Sequence, residues 1–582
     1  MKKIKRGIGL FLAALTMVSC NPNDGTSGLN TNNDTAFAQN FGNTTNRDFI
    51  GQIVDKDNNP IQGATVTIGS TTAQTDVNGV FIINHALVHE KFAYVTATKI
   101  GYLDGSRSLI PTAGRNNVKI MLLSNAPTAT VPSDVDSEVA LDNGTKVSFD
   151  GAFQDESGAA YTGTVSVTLF HLLPSNANLD ALMPGMLYAQ TATNQQAVLQ
   201  TFGMINVELR GDAGQKLNLA EGHTAEITMK IDDTQLATAP TSIPLWHFDA
   251  AKGYWKEDGV ATKIGNNYVG EVSHFSWWNC DVPFPSVTLS LKVVDANNNP
   301  IPNVTVGLQY NGNYSAMDYT DNNGQVSGLI PKDVTLTLNI YAPFYTCNSD
   351  NVIYTSIIGP FTESTILPNI TIDNTSMMLS TMVSGTLLDC NGNNVTNGYV
   401  MLSNGLHYTI SSVNNGSFNF AELYCPNNNG FTLYGVDFDE NQSTNALSFV
   451  FTPTTTNLQG IATCNAVNQY MRYQIDGGAV LNVIGDLGFL DFTAEKQVRA
   501  YPINGFESTS SYLFWGINQP GTFNNPAQSL MIENVHYPLS NSVLTIVNMG
   551  GNGQYFDATL TANYNDSQNI THTMHVDFHI LH

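Results

Sequence analysis

His223-Thr224-Ala225-Glu226 places an imidazole and a carboxylate three positions apart, a spacing that can share a zinc ion on a helix. The segment Ala225–Ile231 alternates apolar and polar residues, however, and on a strand positions three apart face opposite sides. No H-E-x-x-H occurs, because His89-Glu90 runs on into Lys91-Phe92-Ala93. A G-x-S-x-G elbow, a phosphate-binding loop and a G-x-G-x-x-G between strand and helix are also missing from the sequence. His575, Asp577 and His579 alternate with Met574, Val576, Phe578 and Ile580. They share one strand face, which suits a metal but suits a solvated face over an apolar one better. Asp55-Lys56-Asp57-Asn58-Asn59 opens like an EF-hand loop, but Pro60 stands where Gly is needed and Val66 where the bidentate Glu belongs. Solvated Asx turns are the expected reading there, with a looser calcium site as the alternative.

Aromatic pairs are the other chemical candidates. Trp277-Trp278 and Phe514-Trp515 each put one ring on either side of a strand, so Trp278 and Trp515 are candidates for stacking on a ligand. Tyr310, Tyr314 and Tyr319 crowd one expected hairpin. Core packing is the competing reading for all of them.

These residues must be positioned by strands. Ile50–Ile83 reads IGQIVDKDNNPIQGATVTIGSTTAQTDVNGVFII, with short alternating runs separated by Asp55–Pro60 and Asp76–Gly79. Asn and Asp bond their own backbone, Gly supplies positive φ and Pro blocks ladder pairing, so both separators are turns. The phrase returns at Leu291–Ile301, with Thr320–Gly324 as its later turn, and more weakly at Gly385–Asp389, Asn397–Val400 and Asn414–Phe418. Gly51 precedes Asp55 by the same interval as Gly385 precedes Asp389. One β-sandwich module is therefore used at least three times.

GQIVDKDNNPIQGATV, the TDVNG turn, Phe81 and Lys99-Ile100-Gly101-Tyr102 resemble the carboxypeptidase regulatory-like domain. That resemblance implies a transthyretin-like, seven-stranded sandwich and no catalytic role. It is strong over Ile50–Leu123, moderate over Val287–Asp373 and weak over Thr381–Val467. Between the first two copies, Thr201-Phe202-Gly203-Met204, Pro244–Asp249 and His274-Phe275-Ser276-Trp277-Trp278-Asn279 resemble the conserved extracellular block of cartilage intermediate layer protein, which implies a further sandwich. The expected fold class is all-β, a tandem of transthyretin-like and Ig-like sandwiches. The expected divisions are 1–20, 21–47, 48–124, 133–283, 287–375, 381–467 and 468–582, with Ser124–Pro132 as a linker.

Met1–Cys20 has a basic start (Lys2, Lys3, Lys5, Arg6) and an apolar run, Ile8–Val18. Met17-Val18-Ser19-Cys20 resembles a bacterial lipobox, which implies cleavage before Cys20 and lipidation of its thiol and amine. Several acyl chains suffice for stable anchoring. No later stretch reaches the ~18 apolar residues of a spanning helix. Residues 21–47, rich in Asn, Thr and Gly, read as a flexible tether spanning roughly 30 Å. The implied location is the outer membrane, facing either the periplasm or the outside.

The 582-residue chain has 42% hydrophobic but only 12% charged residues. Loss of residues 1–20 removes four of the 23 basic residues and none of the 48 acidic ones, moving the formal charge from −25 to −29. That balance disfavours nucleic acid as a partner. Besides Cys20, the cysteines are Cys280, Cys347, Cys390, Cys425 and Cys464, with no C-x-x-C pair. An exported chain permits disulfides; the expected pairs are Cys280–Cys347 and one among Cys390, Cys425 and Cys464. The expected function is a non-catalytic, lipid-anchored envelope protein that presents sandwich modules for binding or spacing, with an unidentified protein or glycan as ligand and no cofactor. The alternative is a carbohydrate-binding accessory lipoprotein of a glycan uptake system. An enzyme would need acids or histidines from different modules to converge on one cleft.

Overall fold

A computed structural model describes residues 31–582, except 342–351, 373–378, 405–407, 441, 467–468, 477–480, 484–485, 493–494, 502–507, 509, 533–534, 552–553 and 566–569. Among the described residues, helix is confined to Thr31–Ala38, a 3₁₀ turn at Gln39–Phe41 and Leu179–Leu182; the rest is strands and connections. The all-β tandem sandwich is thus the observed fold.

The first module packs two sheets. One holds Val80–His89, Thr44–Asp55 and Arg115–Leu122, with the central strand antiparallel to the first and parallel to the last. The other runs Thr71–Gln74, Thr65–Ile68, Ala93–Thr98 and Gly105–Leu109. Alternation turns Phe49, Ile53, Val66, Ile68, Phe81, Val95 and Ile120 into the shared core. The second module repeats this order. Gln325–Pro331, Ser286–Asp295 and Thr365–Ile366 face Asn313–Tyr319, Thr305–Tyr310, Leu336–Tyr341 and Val352–Ile358. The third does so with Ser417–Tyr424, Leu379–Leu388 and Thr454–Ala462 in its smaller sheet.

Hydrogen bonds repeat with the topology. Asp55 Oδ1 accepts from the backbone N–H groups of Asp57 and Asn59 at 2.8 and 2.9 Å, and its Oδ2 accepts from Asn59 Nδ2 at 3.0 Å. Asp295 does the same with Asn297 and Asn299, and Asp389 with Asn391 and Asn393. Packing repeats by compensation. Gly51 lies opposite Phe81, Gly385 opposite Phe418, and in the second module Leu291 lies opposite Val326. A Cβ on Gly51 would stand 2.1 Å from the Val118 carbonyl oxygen and 2.6 Å from the Phe81 ring. The module thus fills the same space with nothing plus a ring, or with two branched aliphatics.

Between the first and second modules lies a block built on a single 14-stranded sheet, which curls around a core containing Val147, Phe149, Ile205, Ile227, Tyr268 and Trp278. It begins earlier than expected, because Ala129–Pro132, read as linker, pairs with Thr164–Leu172. The C-terminal region forms six- and five-stranded sheets around Met471, Val498, Tyr512, Phe514, Phe556 and Phe578.

Two further expectations are corrected. The described part of the 21–47 tether is structured: Thr31–Ala38 is helical and the first strand starts at Thr44. Phe37 and Phe41, four apart, fall into one aromatic cluster with Phe92, Tyr188 and Tyr254, where Phe41 and Phe92 stack at 4.3 Å. The modules, consecutive in sequence, do not form a string in space. The third folds back on the first through Ile50, Val80, Tyr399 and Val436, with Asn78 Nδ2 donating to the Tyr399 hydroxyl at 2.8 Å and that hydroxyl donating to Asp76. Thr112 and Arg115 of the first module also donate to Asp321 and Asn322 of the second.

The cysteines differ as well. Cys280 is a free thiol buried in the core of the block, so the Cys280–Cys347 pair does not form; Cys347 and Cys20 lie outside the described residues. Cys390 is bonded to Cys464, with Cα atoms 4.7 Å apart. Leu388 and Ala462 are in register on parallel strands, so the residues two further on meet. Cys425 is also disulfide-bonded.

Candidate functional site

Most sequence-nominated residues turn out to be engaged in structure. His223 Nδ1 lies 2.5 Å from Asp150 Oδ2 just ahead of strand Ala225–Lys230, while Glu226 is exposed on that strand, so the two do not converge. His575, Asp577 and His579 do share the solvent side of Thr571–Leu581 above buried Met574, Val576, Phe578 and Ile580. They pair off rather than converge: Asp577 takes Arg472 Nε and His575 Nε2 at 3.0 Å, and His579 takes Asp557 at 2.6 Å and stacks on Tyr555. The carboxylates of Asp55, Asp295 and Asp389 accept hydrogen bonds from their own loops, as Asx turns do.

Trp278 is fully buried, which removes it as a stacking platform. Its position between strands Gln196–Arg210 and Ser242–Asp249 points the ring into the core, and its neighbour Trp277 is only half-covered, edge-on to Phe170. Trp515 is half-buried and its Nε1 donates to Glu495 Oε2 at 2.7 Å. Tyr310 packs edge-on to Phe284, and Tyr319 donates to Asp180 Oδ2 at 3.1 Å; the Tyr314 side chain lies outside the described residues. A cavity of about 60 Å³ sits where the first module, the block and the second module meet. Its walls are largely Met, Leu and Val, and Arg107 at its edge donates to the Asp180 and Met317 carbonyl oxygens, so it reads as a joint.

One cluster of ligating groups was not singled out from the sequence. His247, Asp258 and His274 bring their ligand atoms within 4.8 Å of one another. His247 lies in Ser242–Asp249, between Lys256 of Tyr254–Ile264 on one side and Trp278 of Trp277–Phe284 on the other. Opposite residues of antiparallel neighbours share a face, so His247 lies over the Trp278 ring, with centroids 5.6 Å apart. Asp258 arrives through a β-bulge. The register of its hairpin slips between Pro244/Val260 and Trp246/Glu257, so Asp258 and Gly259 together oppose Leu245. Gly259 holds φ +91°, a conformation a side chain resists.

His274 comes from the bend entering Trp277–Phe284. Trp278 Nε1 donates to its carbonyl oxygen at 2.9 Å, and Phe275 N–H donates to Asn218 Oδ1 at 2.8 Å, which fixes the bend. The two imidazoles stand edge to face at 4.7 Å, and His274 lies 5.1 Å from the indole. Burial, then His274 and Lys256, pushes His247 down to about 3, so its ring is neutral at physiological pH. Lys256 itself is paired with Asp249 at 2.8 Å. Two imidazoles and one solvent-facing carboxylate offer donor atoms to a cation. The intervals of 11 and 16 residues between them match no short motif; only strand register and the bulge join them.

No protein-family model matches the chain, and no curated protein matches it. Solved structures with some similarity include the shaft pilin of Lactobacillus rhamnosus GG, at 10% identity over 31% of this chain and 99% of that one, TM-score 0.16. The Bacillus anthracis TIE protein is 11% identical over 70% and 72%, TM-score 0.14, and the major pilin subunit of Bacillus cereus 10% identical over 72% and 99%, TM-score 0.11. Scores of this size carry no argument about what the chain does.

Proposed function

We propose that this chain is a non-catalytic envelope protein, anchored by lipid on Cys20 at the outer membrane, whose sandwich modules act as a rigid support for binding or spacing. The observation that carries the reading is the way the first three modules and the block are joined. Val54, Leu103, Met121 and Leu123 of the first module share one buried cluster with Leu172, Leu182, Trp246, Phe248 and Trp255 of the block. Joints with the composition of a core hold their parts in fixed relation, as a load-bearing or presenting surface requires. Membership of the three repeated modules in the carboxypeptidase regulatory-like family belongs to this proposal, supported by the shared pairing order, a central strand antiparallel to one neighbour and parallel to the other, and by the recurring Asp–Asn loop.

Metabolic labelling with a fatty acid should mark the wild-type chain and not Cys20→Ala, and protease added to intact cells should decide which side it faces. Absence of label would sink the anchoring. A glycan array tests the alternative. With Trp278 in the core, that reading rests on Trp515; glycan binding that disappears in Trp515→Ala would replace the supporting role with uptake of carbohydrate.

A further inference from the structure

The cluster on the block supports a claim of its own, independent of the support role. We infer that His247, Asp258 and His274 form a site for one divalent late-transition-metal ion, zinc in the first place. Two imidazole nitrogens and one carboxylate oxygen are donors of intermediate softness, which select zinc and its neighbours over calcium and magnesium. The hard cations require six or more oxygens, and a single carboxylate is present here.

The geometry needs little adjustment. A tetrahedral zinc with bonds of ~2.0–2.1 Å wants its ligand atoms roughly 3.3 Å apart. The three groups already lie within 4.8 Å on fixed backbone, so rotation about side-chain bonds closes the remainder. The backbone is shaped for this. The bulge at Asp258–Gly259 turns the carboxylate toward the strand that carries His247, and Trp278 both walls the site and holds the His274 carbonyl oxygen. Bulges commonly re-aim a side chain beside a site. An acidic chain also concentrates cations near its surface.

A bound ion would cross-link three consecutive elements of the sheet: the strand Ser242–Asp249, the strand Tyr254–Ile264 and the bend before Trp277–Phe284. Asp258 is exposed, so the fourth coordination position opens to solvent on its side. Water fills it, or a donor atom from a bound partner.

The test uses the full-length chain in mild detergent, stripped with EDTA and dialysed. Zn²⁺ is titrated against a chromophoric chelator, and Co²⁺ is titrated with its visible absorption recorded. One equivalent of each is expected, with absorption of nitrogen–oxygen tetrahedral or five-coordinate type, unaffected by millimolar Ca²⁺ or Mg²⁺. Asp258→Ala should weaken Zn²⁺ roughly tenfold or more, and His274→Gln likewise. His85→Ala, at an exposed position elsewhere, should leave it unchanged. Absence of a Zn²⁺ equivalent in the wild type, displacement by Ca²⁺, or wild-type affinity in Asp258→Ala would each overturn the assignment. Asp258 is exposed, so its variant keeps the test decisive even if His274→Gln does not fold.

Discussion

Gly51 and Glu422 show how much a single side chain carries here. At Gly51 even a methyl group meets the Val118 carbonyl oxygen, which is ladder backbone and cannot withdraw. Gly51→Ala should therefore destabilise the first module by about 2–4 kcal/mol in chemical denaturation. The same substitution at exposed Gly214, where a Cβ meets nothing within 4 Å, should cost less, through its positive φ alone. Glu422 is buried in the third module with Oε1 lacking a partner, and burial, partly offset by a hydrogen bond with Thr409, raises its carboxyl from 4.5 to about 8. A carboxyl raised on folding favours the folded state when protonated. Its contribution is present below pH 4.5 and is lost as pH rises to about 8, at up to about 1.4 kcal/mol per pH unit. The stability difference between wild type and Glu422→Gln should thus move in favour of the glutamine variant across that window, and a flat difference would refute the assignment.

Elements explain what was and was not readable in the linear sequence. The repeated loops were legible because their chemistry is local: Asp and Asn four apart close the turn with no help from the rest of the fold. The three sandwiches followed from those loops and from alternation. The metal-ligating cluster was not legible, since a bulge in one hairpin and a bend 16 residues later bring its members together. The stacking role of Trp278 failed for a related reason, because strand alternation says that one of two adjacent rings turns inward but not which. The helix Thr31–Ala38 was hidden by an Asn- and Thr-rich composition, and its anchors Phe37 and Phe41 have their partners far along the chain. The disulfide choice among three cysteines needed the parallel register of Leu388 with Ala462. Closing 74 residues, the Cys390–Cys464 bond should contribute about 2–4 kcal/mol to the third module, measured as the change in unfolding midpoint of Cys390→Ser/Cys464→Ser.

For the whole molecule, the decisive feature is that the third module returns to the first. Tyr399 sits at that joint, fully buried, with its hydroxyl shared between Asn78 and Asp76. Tyr399→Phe leaves two polar groups of the first module without their partner in a closed interface, a cost of about 1–3 kcal/mol. Hydrogen exchange should then quicken in 76–82 and 398–403 and stay unchanged in the C-terminal sandwich, whose core is its own. Uniform protection would mean that the two modules do not hold each other.

The docked helix also sets a leash. With Phe37 and Phe41 locked against Tyr188 and Tyr254, only the residues between Cys20 and Thr31 remain between the lipid proposed on Cys20 and the folded body. Whatever path they take, eleven residue steps reach at most roughly 40 Å, where a free stretch to residue 47 would have reached more than twice as far. Under the anchoring proposed above, the body would ride low over the bilayer, pinned at the seam between its first module and the block, and a partner would have to come down to meet it.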